Sequence, residues 1–420
     1  ELIRSFEGKI LHSMPSPASS QWRKDAGHYL KRLIEHINNS DYAEHVIGIL
    51  PSALYNIEWI YPPHVLKDKS ALSDYSHPSL VAFRQYVKNK YKDNLLELQK
   101  VYNTKNITFE TVNIPIPDQL CTIEISDYRN PKYSQNVIDY WEFRNWICAE
   151  TMISFCRIVK ENSNGRLLSG SYFGYILGML SSAGMLRSGH MMMDKVMNDP
   201  AIDVLISPAD YLTRMADSPS MSQSVTDSMR LRGKLWIQED DTRGYLCPKS
   251  NSGTSSIEYY HGKTDTVIDN VELLQRLFAF CRSQGYGFWW YDLNGGWFKN
   301  SHINESLIAR WIKNQEIHEG NDNLLFDMPV EIAFVVSNYS AMYYERGMRK
   351  SGADIRMALR SQFRTFNGLG APRDVILLND FLDCELPKYK LYIFVNSYAV
   401  SDKLRLRRHE MCAILCKRHK

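Results

Sequence analysis

Apolar positions along this chain follow two rhythms. Over 20–37 they fall at helical spacing, with Ala26, Tyr29, Leu30, Leu33 and Ile34 on one stripe and Ser19 or Ser20 placed to cap it. Helical patterns also cover 78–91, 95–102, 266–284 and 304–315, and a longer amphipathic one covers 137–162. Short apolar runs lie between them at 46–50, 167–171, 202–206, 235–238 and 287–291. Runs of that length, each followed by a helical connection, predict βαβ units and a parallel sheet. The stretch 107–117, with prolines nearby and alternating β-branched residues, reads as irregular or short-stranded.

Counting these runs limits the architecture. An eight-stranded barrel needs three strands more than the five found. Only about 45 residues precede the first run, too few for three βα units of about 30 residues each. The expectation is an α/β chain whose residues 1–319 form a (β/α)8 TIM-type barrel lacking its first three strands. An open five-stranded sheet is the alternative. After a polar linker at 320–323, continuous apolar strands are expected at 331–336, 374–378 and 390–395, with a helix over 355–366. That pattern predicts a second, incomplete α/β domain of flavodoxin-like character over 320–420. It carries no G-x-G-x-x-G or phosphate loop, so no nucleotide or other cofactor is assigned.

Charge and composition narrow the functions. A net charge of +3 gives no footprint for nucleic acid, and the basic cluster over 403–420 reads as a solvated helix face. No apolar run approaches the roughly 20 residues of a membrane span. The chain opens on Glu1 rather than methionine, which leaves an export signal ahead of it an open question. Its eight cysteines show no disulfide spacing, which favours free thiols and a reducing, cytoplasmic setting. His409-x2-Cys412-x3-Cys416-x2-His419 has zinc-ligand residue types, but its i, i+4 cysteine spacing is also that of core cysteines. No metal is assigned.

The chemistry gathers where strands end. Lys234-Leu-Trp-Ile-Gln-Glu-Asp-Asp-Thr-Arg243 is an apolar strand that closes on three acids and an arginine. Gly287-Phe-Trp-Trp-Tyr-Asp292 is a second strand, ending in an acid framed by aromatics and followed by Trp297. Carboxylates at the C-terminal ends of barrel strands do proton-transfer and nucleophilic work, and flat aromatic faces stack on sugar rings. Strand alternation puts Glu239 on the face of Leu235 and Ile237, opposite Gln238 and Asp240. Arg243 is expected to hold the Glu239 pKa down. The plainer alternative is an acidic turn in which Asp240, Asp241 and Arg243 pair with one another. Glu58 follows Asn56 and precedes Trp59, an apolar neighbour of the kind that raises a general acid's pKa; its alternative is a surface loop glutamate. Candidate sugar contacts are Asn56, Trp59, Tyr172, Tyr175, Asp210, Tyr211, Arg243 and Asp292. One of Trp289 and Trp290 should join them, as should Trp297, carried over the mouth by Gly295 and Gly296. Each hydroxyl or carboxyl among these has a capping or packing alternative.

Residues 73–101, with Phe83-Arg-Gln-Tyr-Val-Lys-Asn-Lys-Tyr91 and the helical pattern from Leu95, resemble the segment after strand four of family-42-type β-galactosidases. The resemblance implies a retaining exo-glycoside hydrolase acting on a terminal β-linked sugar, with a Glu general acid after strand four and a Glu nucleophile ending strand seven. It also implies a flavodoxin-like trimerisation domain, a homo-oligomer and a carbohydrate substrate, with no cofactor. Carried over, 46–50 becomes strand four, 235–238 strand seven and 287–291 strand eight, so Glu58 is the acid and Glu239 the nucleophile. The family's adjacent Asn-Glu pair is broken here, because Ile57 separates Asn56 from Glu58. A catalytically silent sugar-binding relative and a structural oligomerisation protein are the competing expectations.

Overall fold

A computed structural model describes residues 1–62, 72–121, 128–177, 186–211, 213–216, 218–247, 263–292, 296–319, 330–344, 362–363, 365–384, 386–397 and 399. The His409–His419 arrangement, Gly295, the linker at 320–323 and most of the helix expected over 355–366 lie outside them.

The chain opens with a small antiparallel pair that the apolar pattern did not predict, β1 (Leu2–Arg4) and β2 (Ile10–Pro15). Helix α1 (Ser20–Asn38) follows, with the Ser19 hydroxyl accepting from the Trp22 amide. All five expected strands form: β3 (Gly48–Ile49), β4 (Leu168–Tyr172), β5 (Val204–Pro208), β6 (Leu235–Asp240) and β7 (Gly287–Trp290). They are parallel and lie side by side in chain order, β3-β4-β5-β6-β7, giving a curled half-barrel. Side chains at paired positions share a face of the sheet. One face therefore carries Tyr172, Ile206, Ile237, Glu239 and Trp289, and the other carries Ser171, Leu205, Trp236, Gln238, Asp240 and Trp290. A Cβ at Gly170 would come within 1.7 Å of the Val204 carbonyl oxygen, so β4 approaches β5 there only because the residue is glycine.

Helices α2 (His77–Lys90), α3 (Leu95–Val101), α4 (Pro117–Leu120) and the long α5 (Pro131–Asn162) fill the connection from β3 to β4. No strand forms over 107–117. Helix α5 buries Trp141, Phe143, Ile147, Met152 and Phe155 and is the central beam of the core. Shorter helices, α6 (Met193–Asn198) and α7 (Thr226–Arg230), lead into β5 and β6. Helices α8 (Val267–Ser283) and α9 (Ser301–Glu319) flank β7.

Strands β8 (Ile332–Val336), β9 (Arg373–Leu377) and β10 (Leu391–Phe394) form a second parallel sheet in the order β10-β8-β9, with α10 (Leu378–Asp383) after β9. Phe334, Val336, Val375 and Leu377 join the main core, while Ala333, Val335 and Ile376 pack with Phe381 and Tyr389 on the opposite face. Burial on both faces is why β8 and β9 read as apolar runs, whereas β10 is half-exposed.

Candidate active site

Glu239 stands at the C-terminal end of β6 on the face it shares with Trp289. Trp289 Nε1 donates to its Oε2 at 3.0 Å, and the Tyr172 hydroxyl donates to the same oxygen. Among the described residues Oε1 takes no hydrogen bond, so one carboxylate oxygen is anchored and the other is left for chemistry. Burial raises the Glu239 pKa, the Tyr172 and Trp289 hydrogen bonds lower it, Asp241 raises it and Arg214 lowers it.

The acids after Glu239 diverge. Asp240 turns to the opposite face, where its Oδ1 accepts the Thr242 amide at 3.1 Å and burial pushes its pKa up to about 6. Asp241 pairs with Arg214 at 2.5 Å and with Arg243 at 3.5 Å. Arg243 therefore belongs to Asp241 and stacks over the Trp297 ring at 5.0 Å. Among the strongest influences on Glu239 the cation is Arg214 and not Arg243, and the net shift is upward, which corrects the expectation that Arg243 holds this pKa down. The Asp241–Arg243 half of the acidic turn is present, but Glu239 takes no part in it.

Glu58 sits on a loop with four non-glycine residues in the left-handed region: Leu54 (φ 65°), Asn56 (53°), Ile57 (58°) and Trp59 (57°). Such conformations cost about 1–2 kcal/mol each and persist only where the surroundings impose them. The ties are visible. The Glu58 amide donates to the Tyr55 carbonyl at 3.1 Å, the Trp59 amide to Ala53 at 2.9 Å, and Trp59 Nε1 to the Pro51 carbonyl at 2.8 Å. The Glu58 carboxyl makes no hydrogen bond or ion pair among the described residues. Its pKa is pushed up to about 8, first by burial and then by the negative charges of Glu239 and Asp241. The Trp59 ring is fully buried and packs on Trp22 and Phe155, so Trp59 belongs to the core.

The remaining candidates divide. Glu58 and Glu239 act electrostatically on both Tyr172 and Tyr175, and Glu58 and Asp241 act on Tyr211, whose ring lies under the Arg214 guanidinium at 3.9 Å. These side chains form one cluster. The Tyr175 hydroxyl is buried without a hydrogen-bond partner among the described residues. Asn56 is exposed on the Glu58 loop. Asp210 is buried in the turn after β5, where its carbonyl accepts the Thr213 amide at 3.2 Å. Of the tryptophan pair, Trp289 faces Glu239, whereas Trp290 packs against Phe278 and Phe288 on the opposite face. Asp292 closes its own turn, with Oδ2 accepting the Gly296 and Trp297 amides at 2.6 and 3.0 Å. Trp297 is buried beneath Arg243 rather than laid open over a mouth.

Arg214 and His190 were not among the sequence candidates; neither sits in an apolar rhythm or beside another chemical residue. A cavity of about 860 Å³ between α5 and the second sheet, lined by Tyr128, Ile138, Ser337, Met342 and Leu378, includes none of the residues in this cluster. Cys148, Cys156, Cys281 and Cys384 are in no disulfide, and no described helix is long and apolar enough to cross a membrane.

No protein-family model matches the sequence, and no curated protein matches it. Solved structures do. The β-galactosidase of the haloarchaeon Halorubrum lacusprofundi aligns over 97% of this chain and 58% of its own, at 13% identity and a TM-score of 0.59. That of Marinomonas ef1 aligns over 97% and 60%, at 14% identity and 0.56. The catalytic domain of a β-amylase from Paenibacillus polymyxa aligns over 74% and 73%, at 14% identity and 0.51. The chain thus spans under two thirds of the length of these two β-galactosidases. At such identities the likeness is one of fold. The curled parallel sheet is similar in fold to those of these solved structures, and family-42 β-galactosidases are among its structural neighbours.

Proposed function

We propose that this chain is the greater part of a retaining exo-glycoside hydrolase that removes a terminal β-linked sugar, β-galactosidase-like in substrate class. The observation that carries the reading is the contrast between two neighbouring glutamates. Burial and the nearby Glu239 and Asp241 carboxylates push the Glu58 pKa up to about 8, and Glu239 has one oxygen fixed by two donors and, among the described residues, no hydrogen bond on the other. Glu239 Oε1 attacks the anomeric carbon as the bond to the leaving oxygen breaks and that oxygen takes the Glu58 proton. Glu58, now a carboxylate, takes a proton from water, whose oxygen displaces Glu239. Trp289, Tyr172, Tyr211 and Asn56 are assigned to holding the sugar, with the buried Tyr175 behind them. In this reading β3 to β7 are strands four to eight of a barrel, residues 1–319 are its domain, and residues 320–420 are a flavodoxin-like, trimerising domain. The order β9-β8-β10 is that of the first three strands of flavodoxin-like folds, which supports that part of the assignment.

The test uses both glutamates. Glu239→Ala should lose turnover and regain it with azide, giving a glycosyl azide of inverted configuration. Glu58→Ala should keep cleaving dinitrophenyl glycosides, whose leaving group needs no proton, and fail on poor leaving groups. A catalytically silent sugar-binding relative is the second reading, favoured by the burial that resists ionisation of Glu239. Saturable sugar binding with no turnover in the parent protein would decide for it.

A further inference from the structure

His190 is fully buried and lies far from either glutamate in sequence, yet it joins the Glu58 loop to the end of β4. Its Nε2 is 3.0 Å from the Glu58 carbonyl oxygen. Its Nδ1 faces the amides of Gly174 at 3.2 Å and Tyr175 at 3.4 Å. A carbonyl oxygen has no proton to give, so Nε2 must carry one; two amide donors meet Nδ1, so Nδ1 must carry none. Opposite ends of the ring thus require the same neutral tautomer.

The ring is held from several sides. It lies against Phe173 with centroids 4.4 Å apart and meets Tyr175 edge-on at 5.0 Å. The backbone that carries it is pinned to α5, where Asn145 Nδ2 donates to the Leu186 carbonyl and Asn145 Oδ1 accepts the Met191 amide. Gly189 has φ +92° and lies so close to Cys148 that an added Cβ would come within 2.9 Å of its sulfur. The next carbonyl along the strained loop, that of Trp59, accepts from the Cys148 thiol at 3.2 Å.

We infer that His190 is a positioning residue, a neutral Nε2–H clamp that holds the main chain of Glu58 against the β4 end bearing Tyr172 and Tyr175. It acts through the backbone of the acid and touches no substrate. The inference rests on the role proposed for Glu58, but two of its three tests do not need turnover.

The first test is the ¹⁵N signature of the His190 ring in the full chain at neutral pH. Nε2 should be protonated and Nδ1 a bare, pyridine-type nitrogen; the opposite tautomer or an imidazolium overturns the inference. The second is the carboxyl titration of ¹³C-labelled Glu58. In His190→Phe, which keeps the ring volume and loses both hydrogen-bonding ends, the midpoint should fall by about one unit or more, a tenfold change in proton affinity. In His190→Gln, which keeps a neutral donor and an acceptor, the fall should be smaller. A folded His190→Phe with an unmoved Glu58 overturns the inference. The third is rate: His190→Phe should slow poor leaving groups at least tenfold more than dinitrophenyl glycosides, and equal slowing overturns it. If the parent protein hydrolyses no glycoside, the proposed function falls while the two spectroscopic tests still decide the clamp.

Discussion

Glu58 shows how a single carboxyl couples site chemistry to stability. Its folded-state pKa of about 8 stands above the unfolded value of about 4.3, so the folded chain keeps a proton that the unfolded chain releases. The stability linked to that proton is complete below about pH 4.3 and is lost as pH rises toward about 8. Glu58→Gln removes the ionisation. Its melting temperature should exceed that of the parent above about pH 8 by about 2 °C or more, with the gap closing toward about pH 4. A shift of equal size at both ends would assign the effect to something other than this proton. In the active protein the acid must be protonated and Glu239 ionised. The rate should therefore fall on the alkaline side near the Glu58 pKa and on the acid side through that of Glu239. Tyr172→Phe removes one donor from Glu239 Oε2, which should move the acid limb to higher pH and leave the alkaline limb in place.

At the scale of elements, the legible and illegible parts of the chain separate by physical cause. The five half-barrel strands were readable because each is a short apolar run bounded by helical patterns, and β8 and β9 because both faces are buried. The β1–β2 pair was not, since Ile3 is its one buried residue and the rest leave no apolar rhythm. Alternation along β6 fixed the direction of Glu239, and along β7 it allowed either tryptophan without choosing between them. Around Glu58 alternation has no hold, because Leu54, Asn56, Ile57 and Trp59 all take positive φ. That is why Trp59 turns into the core although it follows Glu58 directly. Arg214 and His190 act across segments distant in sequence, so only the folded chain brings them to the site. The loop also yields a prediction. Ile57 is β-branched, exposed and left-handed, the combination with most backbone strain and least packing to lose. Ile57→Gly should raise stability by about 1 kcal/mol while loosening Glu58 and lowering kcat. Urea unfolding and kinetics on one preparation would check both. A loss of stability would show that the loop's conformation is not strained.

At the scale of the molecule, the second sheet is fastened to the half-barrel by polar contacts as well as by the shared core. Helix α7 faces β9, whose outer edge would otherwise leave amides unpaired. The Asp227 carboxylate accepts the Val375 amide at 2.7 Å and the Ser228 hydroxyl accepts the Leu377 amide at 2.7 Å. Arg232, just beyond α7, pairs with the fully buried Asp380 at 2.6 Å. An ion pair of this kind adds little over an apolar replacement of both partners, yet removing one partner leaves a buried charge uncompensated. Arg232→Ala should therefore cost about 3–5 kcal/mol. Arg232→Met combined with Asp380→Leu, similar in volume and uncharged, should recover most of it. If the fastening works as described, proteolysis of Arg232→Ala should begin in the second sheet, because α10, which follows its edge strand, loses its tie to the segment after α7 before the half-barrel opens. The pattern that would defeat this account is equal destabilisation of the single and double variants, since the loss would then lie in packing around Arg232 and not in the stranded carboxylate.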